Sequence, residues 1–132
     1  MPVFEWKPSY SVNVQRCDAD HKKLFALICH LRTAMHSGKG AQIIDAIVGE
    51  LEDYSAYHFT AEEALLEQTS YPGLGAHRLE HRRFIDTLSK FRRDGVEGQS
   101  IEILNFMNRW LVNHIKRSDR QYSSHLNAHG VR

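Results

Sequence analysis

The feature that most constrains the fold is the spacing of apolar residues, which follows the period of an α-helix in four separate segments. We expect helices over about 18–37, 41–68, 76–93 and 99–116, separated by short clusters of glycine and proline. No segment alternates apolar and polar residues in the way that a strand does. The sequence therefore predicts an all-α chain that folds as an antiparallel up-down-up-down four-helix bundle.

The 132 residues fit one domain. Within residues 1–132 we expect an irregular N-terminal arm over 1–17, the bundle over about 18–118 and a short C-terminal tail. Phe4 and Trp6 are the expected anchors of the arm on the bundle.

Overall composition excludes several classes of function. Seventeen basic residues against 16 acidic ones leave a net charge of +1, so no strong field attracts nucleic acid or an anionic membrane. The apolar runs are too short to cross a bilayer. The first residues lack a secretory pattern, and the two cysteines form no CxxC pair, which favours a cytoplasmic protein.

Polar residues occupy positions on the predicted apolar faces. Five of the nine histidines lie there together with one glutamate: His21, His58, Glu62, His77, His81 and His114. A core hydrogen bond would explain one such histidine, but burial of the whole set without compensating charge is costly. His58 and Glu62 are four residues apart, as are His77 and His81, so each pair shares a helical face. Imidazole and carboxylate are ligands of first-row transition metals, so the set predicts a metal centre inside the bundle.

Asp119 is a further candidate ligand, five residues after His114. On an ideal helix it lies about 140° away from that histidine, so it reaches the same site only if the helix is distorted or ends there. A plain surface aspartate is the alternative.

The number of candidate ligands indicates two metal ions. Six or seven ligands are too many for one four-coordinate zinc ion. Two octahedral ions offer twelve positions, of which five imidazoles, two bridging carboxylates and one bridging oxygen fill eleven. One position remains open for a small ligand.

These residues, taken in order, resemble the hemerythrin family, most closely its single-domain bacterial members, the bacteriohemerythrins. The matching stretches run nearly end to end: Trp6, Ser11, Val12 and Val14; Asp18, His21, Leu24 and Phe25; His58, Phe59, Glu62 and Glu63; Tyr71, Pro72, His77 and His81; and WLVNHI at 110–115 with Asp119.

The resemblance implies two iron ions per chain, bridged by an oxo or hydroxo group and two carboxylates. One iron would be bound by His77, His81 and His114, the other by His21 and His58, with Glu62 and Asp119 bridging. Dioxygen would bind reversibly, as hydroperoxide, at the iron of His21 and His58. The family's apolar oxygen pocket is matched by Leu24, Phe59, Trp110 and Leu111, which also suit plain bundle core.

Two positions depart from the family pattern. Asp20 stands where the family usually has glutamine before its first histidine, and it could alter the field or a hydrogen bond near the site. Leu66 stands where the family often has methionine. Among the tyrosines without an assigned role, Tyr54 lies one turn before His58 and is the one expected nearest the site.

The predicted function is oxygen binding for storage, delivery or sensing, and not catalysis. A reductase or an oxygen-consuming enzyme is the candidate partner, with no nucleic acid and no membrane insertion. The alternatives are a di-iron enzyme that acts on nitric oxide or peroxide, and a bundle that holds metal structurally. Ferritin-like oxygen-activating enzymes use mainly carboxylates with Glu-x-x-His pairs, whereas this set is rich in histidine at i,i+4 spacing, which favours the oxygen carrier.

Overall fold

The computed structural model describes residues 5–132, so the predicted anchor Phe4 lies outside the described residues. Five α-helices follow in order within this range: α1 (Gln15–His36), α2 (Ala41–Gln68), α3 (Leu74–Asp94), α4 (Ser100–His114) and α5 (Arg120–Ala128). A 3₁₀ turn covers Pro8–Tyr10 and a π-helical turn covers Ile115–Asp119. No strand occurs in residues 5–132, which confirms the all-α prediction.

Helices α1 to α4 form the bundle. Each packs on the next along the chain, and α4 returns to pack on α1, so the four helices enclose one core. The connections are short, which makes sequential helices antiparallel. Gly95 ends α3 with φ of 89°, a left-handed conformation that favours glycine.

The core divides into an apolar end and a polar end. The second half of α1 and the first half of α2 supply apolar side chains such as Ile28, Leu31, Val48 and Leu51, each exposed by 1% or less. All the buried histidines lie towards the other end, where α1 and α3 begin and α2 and α4 end. The antiparallel arrangement therefore gathers the candidate ligands into one layer.

The segment predicted as a short C-terminal tail is helical, which corrects the expected end of the fourth helix. After His114 the chain makes the π turn and continues as α5 to Ala128. No glycine or proline interrupts residues 100–128, and Tyr122 and Leu126 of α5 are fully buried. Burial of these two side chains stabilises a helix that its own mostly polar sequence does not indicate.

The N-terminal arm is held on the bundle at several points. Val12 and Val14 are buried, and half-buried Trp6 packs against the core. Asp18 accepts hydrogen bonds from the Ser11 hydroxyl at 2.6 Å and from the Val12 amide at 2.9 Å. Helix α1 begins at Gln15, earlier than expected, so the arm is correspondingly shorter.

None of the helices within residues 5–132 combines the length and apolar character that crossing a bilayer requires.

Candidate metal centre

The seven predicted ligands meet inside the polar end of the bundle. Each is exposed by 4% or less, and together they come from α1, α2, α3, α4 and the π turn: His21, His58, Glu62, His77, His81, His114 and Asp119. Such complete burial of charged and titratable groups requires compensating partners.

Their donor atoms form two groups. One contains Glu62, His77, His81, His114 and Asp119, and the other contains His21, His58 and Glu62; within each group these atoms lie within 4.8 Å of one another. The first group offers five residues and the second offers three. Glu62 belongs to both.

Glu62 directs one oxygen to each group. Its Oε1 lies 2.8 Å from His77 Nε2 and 3.1 Å from His81 Nε2. Its Oε2 lies 3.1 Å from His58 Nε2 and 3.8 Å from His21 Nε2. This is the arrangement of a carboxylate that can bridge two ions.

Asp119 also directs one carboxylate oxygen to each group. Its Oδ1 lies 2.9 Å from His77 Nε2 and 3.0 Å from His114 Nε2, and its Oδ2 lies 3.1 Å from His21 Nε2. The π turn makes this possible, because i→i+5 hydrogen bonding brings residues five apart to the same side of the helix. The distortion that the spacing of His114 and Asp119 required is therefore present.

The spacing of the donor atoms fits octahedral ions. Ligands about 2.1 Å from an ion lie about 3.0 Å apart at neighbouring corners of an octahedron, and about 3.4 Å apart in a tetrahedron. The Nε2 atoms of His81 and His114 lie 3.0 Å apart. His21 Nε2, His58 Nε2 and both carboxylate oxygens of Asp119 are buried without a hydrogen-bond partner. Buried nitrogen and oxygen atoms without hydrogen-bond partners are available to bind cations that lie between them.

The buried carboxylates also change the protonation of the histidines. Burial lowers the pKa of His58, but the charge of Glu62 and the hydrogen bonds to Asp20 and Glu62 together outweigh it and raise the pKa to about 10. Burial also lowers the pKa values of His77 and His114. Asp119 and Glu62 together outweigh it and raise the pKa of His77 to about 9, and with Glu80 they raise that of His114 to about 10. Protons on these histidines balance the two carboxylates, and a metal ion supplies the same positive charge.

Three polar side chains support the centre from outside. Asp20 Oδ2 lies 2.8 Å from His58 Nδ1, and Glu63 Oε2 lies 2.7 Å from His81 Nδ1. The hydroxyl of Tyr122, which is fully buried, donates a hydrogen bond to Glu62 Oε2 at 2.8 Å. The expectation that Tyr54 is the tyrosine nearest the site is wrong, because Tyr122 contacts Glu62 directly and Tyr54 reaches His58 only through Asp20. Tyr122 lies three residues after Asp119, which places both on one face of a continuing helix.

The predicted pocket residues pack in or against the core, and the two aromatic ones, Phe59 and Trp110, lie against the group with three histidines. Leu24, Phe59 and Leu111 are exposed by 5% or less, and Trp110 is half-buried. The Phe59 ring stacks on His81 with centroids 3.8 Å apart, and Trp110 stacks on His114 at 4.4 Å. Phe59 is also 5.9 Å from the ring of His58. The stacking thus covers mainly the group with three histidines.

Comparisons with known proteins agree with this centre. The family model described as the hemerythrin HHE cation binding domain matches residues 12–126. A bacteriohemerythrin of Stenotrophomonas maltophilia is 30% identical over 98% of this chain and 85% of its own length. A bacteriohemerythrin of Pseudomonas aeruginosa is 34% identical over 89% of this chain and 77% of its own length. A hemerythrin-like protein of Naegleria gruberi is 33% identical over 93% of each chain.

Solved structures show the same packing of the helices. The crystal structure of a wild-type hemerythrin superposes with a TM-score of 0.84 at 26% identity, over 92% of this chain and 95% of that one. A mutant hemerythrin gives a TM-score of 0.87 at 25% identity, over 96% and 98%. The buried histidines and carboxylates are thus a cation-binding centre of known type, and the chain belongs to the hemerythrin family.

Proposed function

We propose that this protein is a non-haem di-iron protein that binds dioxygen reversibly, for storage, delivery or sensing, and that it is not an enzyme. The observation that carries the proposal is the unequal division of the histidines, three in one donor group and two in the other. Two complete sets of ligands would hold metal without leaving room for a small molecule. An incomplete set beside a complete one leaves room at one position.

The distances suggest which residues hold each iron. His77, His81 and His114 would hold one iron, and His21 and His58 the other. Glu62 and Asp119 would each give one oxygen to each iron. With one further oxygen shared between the irons, the first iron would have six ligands and the second would have five. When bound, the irons supply two electrons and one open coordination position, which together allow dioxygen to bind reversibly.

The surrounding chain keeps the centre dry and in place. Leu24, Phe59 and Leu111 bury apolar surface at the same end of the bundle as the histidines, and the exclusion of water and protons slows loss of the bound ligand as superoxide or peroxide. Tyr122 holds Glu62 by a hydrogen bond, so this carboxylate keeps its orientation between the two groups. The names of the relatives, bacteriohemerythrin and hemerythrin-like protein, support the same function.

One experiment tests the proposal. The purified protein is assayed for metal, and its visible spectrum is recorded while the solution is cycled between oxygen and argon. We expect two irons per chain and an absorption band that appears under oxygen and disappears under argon. Irreversible bleaching with turnover of nitric oxide or peroxide would support the di-iron enzyme instead, and a single zinc without colour would support a structural metal site.

A matched pair of variants on α1 makes the test specific. His21→Ala removes a proposed ligand, whereas His30→Ala removes an exposed histidine of the same helix. We expect the first variant to lose the oxygen-dependent band and the second to keep it. Equal behaviour of the two variants would contradict the assignment of His21.

A further inference from the structure

Asp20 and Tyr54 form a hydrogen-bonded chain behind His58. Asp20 Oδ2 lies 2.8 Å from His58 Nδ1, and Asp20 Oδ1 accepts a hydrogen bond from the Tyr54 hydroxyl at 2.9 Å. Since an ionised carboxylate only accepts hydrogen bonds, His58 Nδ1 carries the proton and donates it. In the neutral ring, the form that binds a metal, the lone pair is then on Nε2, the atom that lies 3.1 Å from Glu62 Oε2 inside the centre.

The same contact on the other side of the centre is electrically weaker. Glu63 accepts from His81 Nδ1 at 2.7 Å, but it also accepts from the guanidinium Nε of Arg78 at 3.2 Å. The side chain of Glu63 is 23% exposed, so a cation and water both reduce its effect on His81. Asp20 accepts its other hydrogen bond from the neutral hydroxyl of Tyr54 and its side chain is 13% exposed, although the charge of Arg16 also acts on it.

The charge of Asp20 also acts on the smaller of the two ligand groups. That group has two histidines, and the Nδ1 of the other one, His21, is buried without a hydrogen-bond partner. A carboxylate behind a ligating histidine makes the imidazole a stronger donor to its metal. Its effect is therefore concentrated in His58.

We propose that Asp20, oriented by Tyr54, is a positioning residue that acts through His58 to lower the reduction potential and raise the metal affinity of the iron held by His21 and His58. The inference rests on the proposed di-iron function for its redox part. The physical reason is that a more strongly donating imidazole stabilises the ion of higher charge, so the ferric state gains relative to the ferrous state at this position. The balance between reversible binding and oxidation of this iron thus depends on a residue that is not itself a ligand.

The test compares charged and neutral side chains of equal size at position 20. Asp20→Asn removes the charge and keeps the shape. Asp20→Glu and Asp20→Gln repeat the comparison with a longer side chain. The second pair keeps the test valid if Asp20→Asn folds poorly. Reduction potentials are measured by spectroelectrochemistry, and metal affinity by competition with a chelator. We expect the ferric-to-ferrous ratio at a given potential to fall at least tenfold in both neutral variants. This corresponds to a rise of about 59 mV in the one-electron reduction potential.

The control and the metal measurement separate this inference from the proposed function. Glu63→Gln removes the equivalent contact to His81 and should change the potential less than Asp20→Asn does. Zn²⁺ or Co²⁺ binding should weaken about 10- to 100-fold in Asp20→Asn, whether or not the protein binds oxygen. If the unaltered protein shows no oxygen response but Asp20→Asn still binds Zn²⁺ or Co²⁺ more weakly, only the proposed function is overturned. Unchanged potential and affinity in both neutral variants, or an equal shift in Asp20→Glu and Asp20→Gln, would overturn the role of Asp20.

Discussion

The two halves of the centre differ in how completely the chain surrounds them. The half around His77, His81 and His114 takes its histidines from α3 and α4, and aromatic rings stack on two of them. The half around His21 and His58 takes one histidine from each of α1 and α2. The two metal positions proposed for this centre would therefore differ in chemistry, because the number of histidines and the contacts behind them differ.

The largest effect should come from the residue common to both halves. Glu62→Ala removes one donor oxygen from each group, and it also leaves the buried Tyr122 hydroxyl without its partner. We expect the metal affinity of both halves to fall by more than about 100-fold, since losing a residue that only hydrogen-bonds to a ligand already costs about 10- to 100-fold in affinity. Metal per chain is measured after desalting. Glu67→Ala, at an exposed position of the same helix, is the control and should keep its metal.

Removing the metal should destabilise the whole domain. A ligand present at about 1,000 times its dissociation constant stabilises the folded state by about 4 kcal/mol. For a domain of this size we expect the melting temperature to fall by about 10 °C or more after chelation. Calorimetry of the metal-bound and chelated protein measures the difference. A melting temperature that does not change would show that the metal contributes nothing to folding, in conflict with the complete burial of its ligands.

Single histidine variants should separate the two halves. His58→Ala leaves one histidine, His21, beside the two shared carboxylates, whereas His81→Ala leaves two histidines in the other half. We expect the first variant to retain about one metal ion per chain and lose the oxygen response. The second should retain both ions with weakened affinity. The same metal content in both variants would mean that the halves are equivalent, contrary to the unequal donor sets.

A polar residue in the apolar wall should affect the chemistry more than the fold. Leu111→Asn brings water and a dipole one turn from His114, so we expect about tenfold faster autoxidation with only a moderate fall in melting temperature. Leu104→Asn makes the same change at another buried position of α4, two turns further from the centre. It should destabilise the protein without changing autoxidation. Equal autoxidation rates in Leu111→Asn and the unaltered protein would contradict the role of Leu111.

The smallest effect should come from the surface ion pair behind the larger half. Arg78 contacts Glu63 and Glu67, each at 3.2 Å, and its side chain is 47% exposed. Exposed pairs of this kind contribute about 0.2–1 kcal/mol. For Arg78→Gln we expect a change in unfolding free energy below about 1 kcal/mol and less than a threefold change in metal affinity. Urea unfolding and chelator competition measure the two quantities.

The helices and the buried histidines were accessible to sequence reasoning because both depend on local spacing. Apolar side chains recur at helical intervals in α1 to α4, and His58 with Glu62 lies on the same face as that pattern. The bounds of α2 agree with the expectation over 41–68. Antiparallel packing of four such helices is then enough to bring the polar positions of all four together.

The C-terminal part of the centre depended on tertiary structure and was harder to predict. Residues 115–119 contain no glycine or proline, so nothing local indicates a π turn there. Tyr122 and Leu126 are separated by polar residues, and only their burial against the rest of the bundle makes this segment a helix. The same limit applies to Phe59 and Trp110, whose positions near His81 and His114 depend on packing between helices.

The π turn also has a consequence for which changes in length the chain can tolerate. The π turn places Asp119 five residues after the buried His114, whereas most other buried positions of α4 and α5 are separated by three or four residues. Lys116 and Arg117 are exposed, so we expect substitutions there to have little effect on folding. Deletion of either one would instead rotate Asp119 and all of α5 by about 100°. This surface segment therefore accepts changes of residue type but not of residue number.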